Sequence, residues 1–488
     1  MMDKALVLAI DQGTTNTKAL LVDRSGAVIA SASRPMTVDY PEPGWAEQSA
    51  DAIWTAVKAV VDELAAHPRA VDVAALAVSN QRESIVVWDA ATGKPLAPCI
   101  IWQCRRTAKA CEALIAAGHG DFVEAKTGLG INPLFPASKI AWILDRIPDG
   151  RAKAATGSIR AGTIDSWLLW NFTGGKVHAT DHSNASRTQL FDTEALVWSD
   201  ELCTLFGVPK AMLAEVKSSD SRFGETVAGV TALPAGVPIH GMMGDSHAAL
   251  FGHGVREPGT VKATYGTGTS LMSLVPQRVR SRHGLSGTIA WSLGDRVWHA
   301  LEGNISVSGQ TVAFMASLLG LKDATALADL AMTVPSSNGI TFVPALVGLG
   351  APHWRNDVRG EISGLSLGTQ PAHLARAAVE AVAFQVADVF AAMEADIEAA
   401  LSGLSVDGGA SRNDFLMQFQ ADILGRPLKR GKFPEVSALG AASVAFHGLG
   451  FTMTASGEGQ GLFTPTMPGE TREAHIAGWR KAVDHLLA

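Results

Sequence analysis

Cysteine is scarce in this chain: Cys99, Cys104, Cys111 and Cys203 are the only four among 488 residues. They form no Cys-x-x-Cys zinc pattern and are too few for a dense disulfide framework, so reduced thiols in a cytosol are expected. Long apolar runs are also missing. The stretch from Ala5 to Ile10 is cut by Asp11 and is too short for a signal-peptide core. Nothing approaches the roughly 18 apolar residues of a membrane span, so no membrane insertion is expected. Blocks of like charge are absent as well. The net charge is −7 and the charged residues are interspersed, which argues against nucleic acid or an anionic membrane as the main partner. The 14 histidines show no metal-ligand spacing. Solenoid repeats and low-complexity tracts are not found.

What is present is a large apolar fraction, 47% of the residues, in a chain long enough for two or more domains. Near the N-terminus, Asp11-Gln12-Gly13-Thr14-Thr15-Asn16-Thr17-Lys18 lies between two apolar runs. The pattern returns in Tyr265-Gly266-Thr267-Gly268-Thr269, again between strand-like runs. Each reads as a β-hairpin whose tip is stripped of bulk. Glycine lets backbone approach a ligand closely, and successive N–H groups in such a turn make an anion-binding concavity. Two such loops, one per half, point to two lobes that grip one polyphosphate. Asp11 sits where the first strand ends. A carboxylate beside a phosphate cradle repels the ligand unless a divalent cation lies between them, although an Asx-turn role is equally compatible with its position.

The first half opens as a meander (6–10, 18–23, 28–32), followed by an amphipathic helix over 50–64 and strands at 73–78 and 85–88. The second half restarts the programme with its own hairpin. A long helix follows over 373–399, then a strand-to-glycine turn at Val406-Asp407-Gly408-Gly409-Ala410, a helix over 414–424 and another from near Ala438. The domain boundary is expected near 245–260, in a segment that includes Glu257-Pro258-Gly259. The fold class is α/β, two similar lobes with a cleft.

Phosphoryl transfer to a hydroxyl needs phosphate cradles, a divalent metal and a carboxylate to take the hydroxyl proton. Asp245, at a strand end between Gly244 and a small-residue helix, is the candidate base; the competing reading is an N-cap. Arg82 and Glu83 end an apolar strand, where neighbours point to opposite faces and so do not pair with each other. Turned inward they can donate to and accept from a polyol; a solvated turn is the plainer alternative. Trp102 offers the same pocket an apolar wall, or is simply core. The Gly408-Gly409 turn leaves bare backbone for an adenine or phosphate, without being a P-loop or a Gly-x-Gly-x-x-Gly fingerprint.

Taken together, Asp11-Gln12-Gly13-Thr14-Thr15, Asn80-Gln81-Arg82-Glu83, Ile101-Trp102-Gln103-Cys104-Arg105-Arg106-Thr107, Asn184-Ala185-Ser186-Arg187-Thr188, Tyr265-Gly266-Thr267-Gly268, Gly348-Leu349-Gly350-Ala351-Pro352 and Asp407-Gly408-Gly409-Ala410 resemble the FGGY carbohydrate kinases, nearest the glycerol kinase branch. The resemblance runs in order along nearly the whole chain. It implies two actin/hexokinase-like (ribonuclease H-like) domains, 1–250 on the substrate side and 251–488 on the nucleotide side. ATP and Mg²⁺ are the implied cofactors, with Asp11 near the metal. Gly13, Thr14, Thr15, Lys18, Gly266, Thr267, Gly309, Gly409 and Asn413 are implied on the nucleotide. Arg82, Glu83, Trp102 and Asp245 are implied on the polyol, with Asp245 as base. A cytoplasmic homo-oligomer, dimer or tetramer, is the implied state.

Two positions depart from the glycerol kinase pattern. Leu134 stands where a tyrosine is usual, and Ser246 where a glutamine follows the aspartate. Both changes remove hydrogen-bonding reach and add room, which favours a longer substrate, a four- or five-carbon polyol or ketose. Glycerol leads because the Arg82-Glu83 pair is retained. Two readings compete with catalysis: a nucleotide-switched ATPase of actin or chaperone type, and a sensor that binds sugar and nucleotide without turnover. The basic, glycine-rich loop linked to sugar-bisphosphate inhibition in some glycerol kinases is not evident around Thr231–Gly236.

Overall fold

A computed structural model describes residues 5–355, 357–431, 435–454 and 461–488. The chain forms two compact units that are not two halves of the sequence. The first holds Met1–Gly254, Gly287–Ala300 and Glu435–Ser456; the second holds Val255–Ser286, Leu301–Pro434 and Gly457–Ala488.

The first unit is built on a six-stranded sheet in the order Arg222–Glu225, Pro238–Gly244, Val73–Asn80, Leu6–Gln12, Asn16–Asp23, Val28–Pro35. Leu6 through Ile10 are all fully buried, because a central strand covered on both faces needs an unbroken apolar run rather than an alternating one. The first hairpin pairs Asp11 with Lys18 across the antiparallel ladder and with Ser79 on the parallel side. The helix Ala50–Ala65 starts where the Ser49 side chain accepts the Ala52 N–H, and it buries Ile53, Val57, Val60, Val61 and Leu64. A four-stranded sheet orders Glu47–Gln48, Cys99–Ile100, Ile85–Asp89 and Ile159–Thr163. The helix Val436–Gly448 returns late in the chain to this unit. It crosses the helix Asp245–Gly252 so closely that a Cβ on Gly440 would lie 1.8 Å from the Ala248 carbonyl oxygen.

The second unit repeats the hairpin-plus-parallel-strand device. Thr260–Tyr265 pairs antiparallel with Thr269–Val275 and parallel with Gly403–Asp407. The helix Pro371–Ile397 lies in its core through a stripe of alanine, valine and phenylalanine, opened by a capping box between Gln370 and His373. Among the described residues no helix is long and apolar enough to cross a membrane, and all four cysteines are free and buried.

Candidate active site

In the first unit, Gly13 N–H closes the hairpin tip on Asn16 O at 3.0 Å. Behind the tip lies a chain of hydrogen bonds that the sequence does not announce. Trp102 Nε1 donates to Thr14 Oγ1 at 2.9 Å, and Thr14 Oγ1 donates to Gln81 Oε1 at 3.3 Å. Gln81 Nε2 in turn donates to Gln48 Oε1 at 2.9 Å and to Gln12 Oε1 at 3.2 Å. A loop read as phosphate-binding and a tryptophan read as a substrate wall are thus in direct contact.

Asp11 Oδ1 accepts from Ser79 Oγ at 3.1 Å. Its carboxyl is pushed up to about 7, first by burial and then by the charge of Asp245; Ser79 and Lys18 oppose that shift, and Glu435 adds to it. Lys18 Nζ stands 3.5 Å from Glu435 Oε1. Asp11, Asp245 and Glu435 therefore leave negative charge in excess around the tip. This is a setting a divalent cation fits, held by one or two carboxylates with water and phosphate completing its shell. No group of three or more His, Cys, Asp or Glu residues able to hold a metal occurs among the described residues, so a closed protein cage is not what this chain offers.

Asp245 is the first residue of its helix. Gly244, in extended conformation, takes the cap position, so the capping alternative for Asp245 fails. Arg82 Nε donates to Asp245 Oδ1 at 3.0 Å, and the Ser246 N–H donates to the same oxygen at 2.6 Å. Glycine is required at 244 because a Cβ there would lie 2.6 Å from Arg82 Cγ. Glu83 is buried with φ 57°, a left-handed conformation uncommon for a residue with a side chain. Its carboxylate accepts from Arg187 Nε at 2.7 Å, in an ion pair with no exposed arginine surface. Arg82 and Glu83 lie in the bend that follows the strand Val73–Asn80, both buried, and each finds a separate partner. Ser246 is buried, and half-buried Leu134 donates its backbone N–H to Asn132 Oδ1 at 2.9 Å.

A second buried network ties these parts together. Asn80 and Asn184 exchange side-chain hydrogen bonds at 3.0 and 3.2 Å, and Asn184 Nδ2 reaches Asp181 Oδ1 at 3.0 Å. Ser183 Oγ donates to Asp181 Oδ1 and accepts the Gly244 N–H at 3.0 Å. One carboxylate, Asp181, thus connects the strand end before Arg82 to the residue before Asp245.

The second unit brings together a different set. The Ser308 and Gln310 N–H groups donate to Thr267 O, and the Gly309 N–H donates to Gly266 O at 3.1 Å. A Cβ on Gly309 would lie 2.5 Å from Gly266 O, and one on Gly408, at φ 90°, would lie 2.4 Å from Tyr265 O. Gly266 and Thr267 are exposed at the tip, and Gly409 faces open space. Asn413 caps the helix Asp414–Leu424 by accepting the Leu416 N–H at 3.1 Å. Hairpin tip, helix start and glycine turn thus meet, while Asn413 has a structural duty as well.

Arg187, Gln81, Lys139 and Asp181 were not singled out by sequence reasoning. Arg187 lies inside a motif that carried the resemblance. Lys139 left a clearer trace, as a lysine on the apolar face of a short helix.

Carboxylates in one unit and bare glycine turns in the other, each on its own hairpin-plus-parallel-strand core, define a kinase of the two-domain actin/hexokinase-like class. The chain belongs to the FGGY family of carbohydrate kinases: the N-terminal domain of that family matches residues 6–252 and the C-terminal domain residues 261–449. It is similar to a glycerol kinase from Symbiobacterium thermophilum, 47% identical over 99% of this chain and 98% of the relative. It is also similar to an apulose kinase from Pectobacterium atrosepticum, 47% identical over 91% and 90% of the respective chains. The crystal structure of Plasmodium falciparum glycerol kinase with ADP superposes with a TM-score of 0.93 at 30% identity, covering 99% and 98% of the two chains. The protein is an ATP-dependent carbohydrate kinase.

Proposed function

We propose that this kinase transfers the γ-phosphoryl group of ATP to a terminal hydroxyl of a small polyol, glycerol first. The observation that carries the reading is the pairing of Asp245 with Arg82 beside Glu83 with Arg187. Both of the hydrogen bonds on Asp245 fall on Oδ1, so Oδ2 is the oxygen presented to a hydroxyl. Asp245 accepts the proton as the hydroxyl oxygen attacks, and Arg82 holds the carboxylate in place. Glu83, fixed by Arg187, accepts from a second hydroxyl, and Trp102 covers the carbon face.

Thr14 Oγ1 has one proton and uses it on Gln81. Phosphate contact at the first tip therefore falls to exposed Thr15, to Lys18 and to the Thr14 backbone N–H, while Gly13, whose own N–H is used on Asn16 O, keeps the tip free of bulk. Gly266, Thr267, Gly309 and Gly409, with Asn413 beside them, serve the nucleotide in the second unit. The unit built mainly from residues 1–250 forms the substrate side and the unit built mainly from 251–488 the nucleotide side. Asp11 would hold Mg²⁺, and the ion would supply charge neutralisation on the transferring phosphates. The protein works in the cytoplasm as a homo-oligomer.

A second reading has its own support. Leu134 and Ser246 offer little hydrogen bonding to a three-carbon triol, and the similarity to an apulose kinase equals that to a glycerol kinase in identity. A four- or five-carbon polyol or ketose is the alternative substrate. Coupled ADP release with Mg-ATP across glycerol, dihydroxyacetone, tetritols, pentitols and pentuloses separates the two. Highest kcat/KM on glycerol supports the first, highest on a longer compound the second, and silence with nucleotide still bound points to a sensor.

A further inference from the structure

The helix Pro136–Leu144 buries Ala137, Ile140, Ile143 and Leu144, and among them stands Lys139 with no exposed surface. Its Nζ donates to Leu134 O at 2.7 Å, to Glu83 O at 3.0 Å and to Ile101 O at 3.1 Å. An ammonium has three donors, and all three are used. The three acceptors come from three separate segments of chain. Two belong to residues of the substrate site itself, Glu83 and Leu134, and the third precedes Trp102. Burying an ammonium is costly, and an apolar side chain of similar length would fill the same volume without that cost. The buried charge therefore serves the carbonyls it gathers.

Glu83 shows why such a clasp is needed. Its left-handed backbone is strained for a residue with a side chain and persists only where surroundings over-determine it. Arg187 fixes its carboxylate and Lys139 its carbonyl, so side chain and peptide are held from two directions. The Trp102 segment is held in a similar way, with its N–H on Ser84 Oγ at 3.3 Å, its indole on Thr14 and the preceding carbonyl on Lys139.

We infer that Lys139 is a positioning residue that fixes the spacing of Glu83, Trp102 and Leu134 and thereby sets the length of polyol the site accepts. The inference rests on the polyol-kinase reading. Burial brings the ammonium down to about 8, with the Glu83 carboxylate opposing, so the charged form still predominates at pH 7. Loosening the clasp widens the site, and a wider site discriminates less between chain lengths.

The test compares full-length wild type with Lys139→Met and Lys139→Gln. Steady-state kinetics are measured for glycerol, a tetritol, a pentitol and ATP, alongside thermal melts. Lys139→Met is expected to raise KM for the preferred polyol about tenfold and to shrink its kcat/KM advantage over the next polyol by a similar factor, while KM for ATP stays within about twofold. Lys139→Gln, which keeps two donors, is expected to fall between. A lowered melting temperature with unchanged polyol KM and unchanged selectivity overturns the inference and leaves a plain structural staple. Failure of both variants to fold overturns it in the same way. A wild type that phosphorylates no compound of the panel removes the polyol reading and this inference together. An active wild type whose selectivity both variants share removes the inference alone.

Discussion

The hairpin of the first unit, Leu6–Gln12 with Asn16–Asp23, and that of the second, Thr260–Tyr265 with Thr269–Val275, share one plan. Each has an antiparallel partner and a parallel neighbour on its other edge. Their surroundings differ in kind. The first tip is backed by side chains, with Thr14, Gln81, Gln48 and Trp102 linked by hydrogen bonds and three carboxylates nearby. The second tip is backed by main chain, with Gly309 and Gly408 pressed against the carbonyls of Gly266 and Tyr265. The same supersecondary device is thus specialised by side-chain chemistry in one copy and by absence of side chains in the other. Charge can accept a proton or oppose a cation; bare backbone gives shape and N–H donors.

The largest way to break this contrast is to remove the proton acceptor. Asp245→Asn is expected to lower kcat by roughly 10²–10⁴-fold in coupled ADP release, while ATP binding measured by calorimetry is unchanged. Full activity would remove the base assignment. Next is the buried ion pair. Glu83→Gln leaves Arg187 buried beside a neutral partner, and loss of one member of such a pair costs about 3–5 kcal/mol. Denaturant melts should show that loss together with a raised polyol KM, and Arg187→Met should add little to it in the double variant. Sharpening the contrast from the other side, Gly309→Ala forces the 266–267 tip to move. KM for ATP should rise by about tenfold, on the order of 1.4 kcal/mol, with polyol KM unaltered.

The smallest expected effect concerns acid. Burial lowers His178 from its ordinary value to about 4, while Nε2 lies 3.0 Å from Ala161 O. The unfolded chain takes up this proton near pH 6.5, the folded chain only near 4. This residue's contribution to stability is therefore lost as pH falls through that window. In His178→Asn the window disappears, so the gap in melting temperature between wild type and variant should narrow steadily from pH 7 to pH 4.

Much of this organisation was legible in the residues. Gly-Thr tips between β-branched runs announced both hairpins, and the periodicity of Ile53, Val57, Val60, Val61 and Leu64 announced the first long helix. The expected helix over 414–424 is found at Asp414–Leu424, since Asn413 and Gly425 mark its ends. The short helices between 108 and 206 were not read, because segments such as Ile164–Phe172 are buried nearly all round and show little periodicity. Asp245 resembled a cap, and only the backbone of Gly244 distinguishes the two roles. Lys139 and Arg187 act on Glu83 from far along the chain, and no local spacing encodes such partners. The break between Gly254 and Val255 falls within the expected 245–260 segment, but the return of Glu435–Ser456 to the first unit escaped for the same reason, since it depends on contacts made by tertiary packing.

That late segment has a consequence for how the protein is made. On the ribosome, the N-terminal stretch emerges first and holds all six strands of its main sheet by Gly244. The helix Val436–Gly448, against which Gly241, Gly252 and Ala248 are closely fitted, is synthesised only after the long stretch that supplies most of the second unit. A nascent chain released before Gly448 therefore leaves apolar sheet and helix surface uncovered. The first unit closes only after most of the second has been made, and a truncation that removes the helix Val436–Gly448 damages the first unit as well as the second.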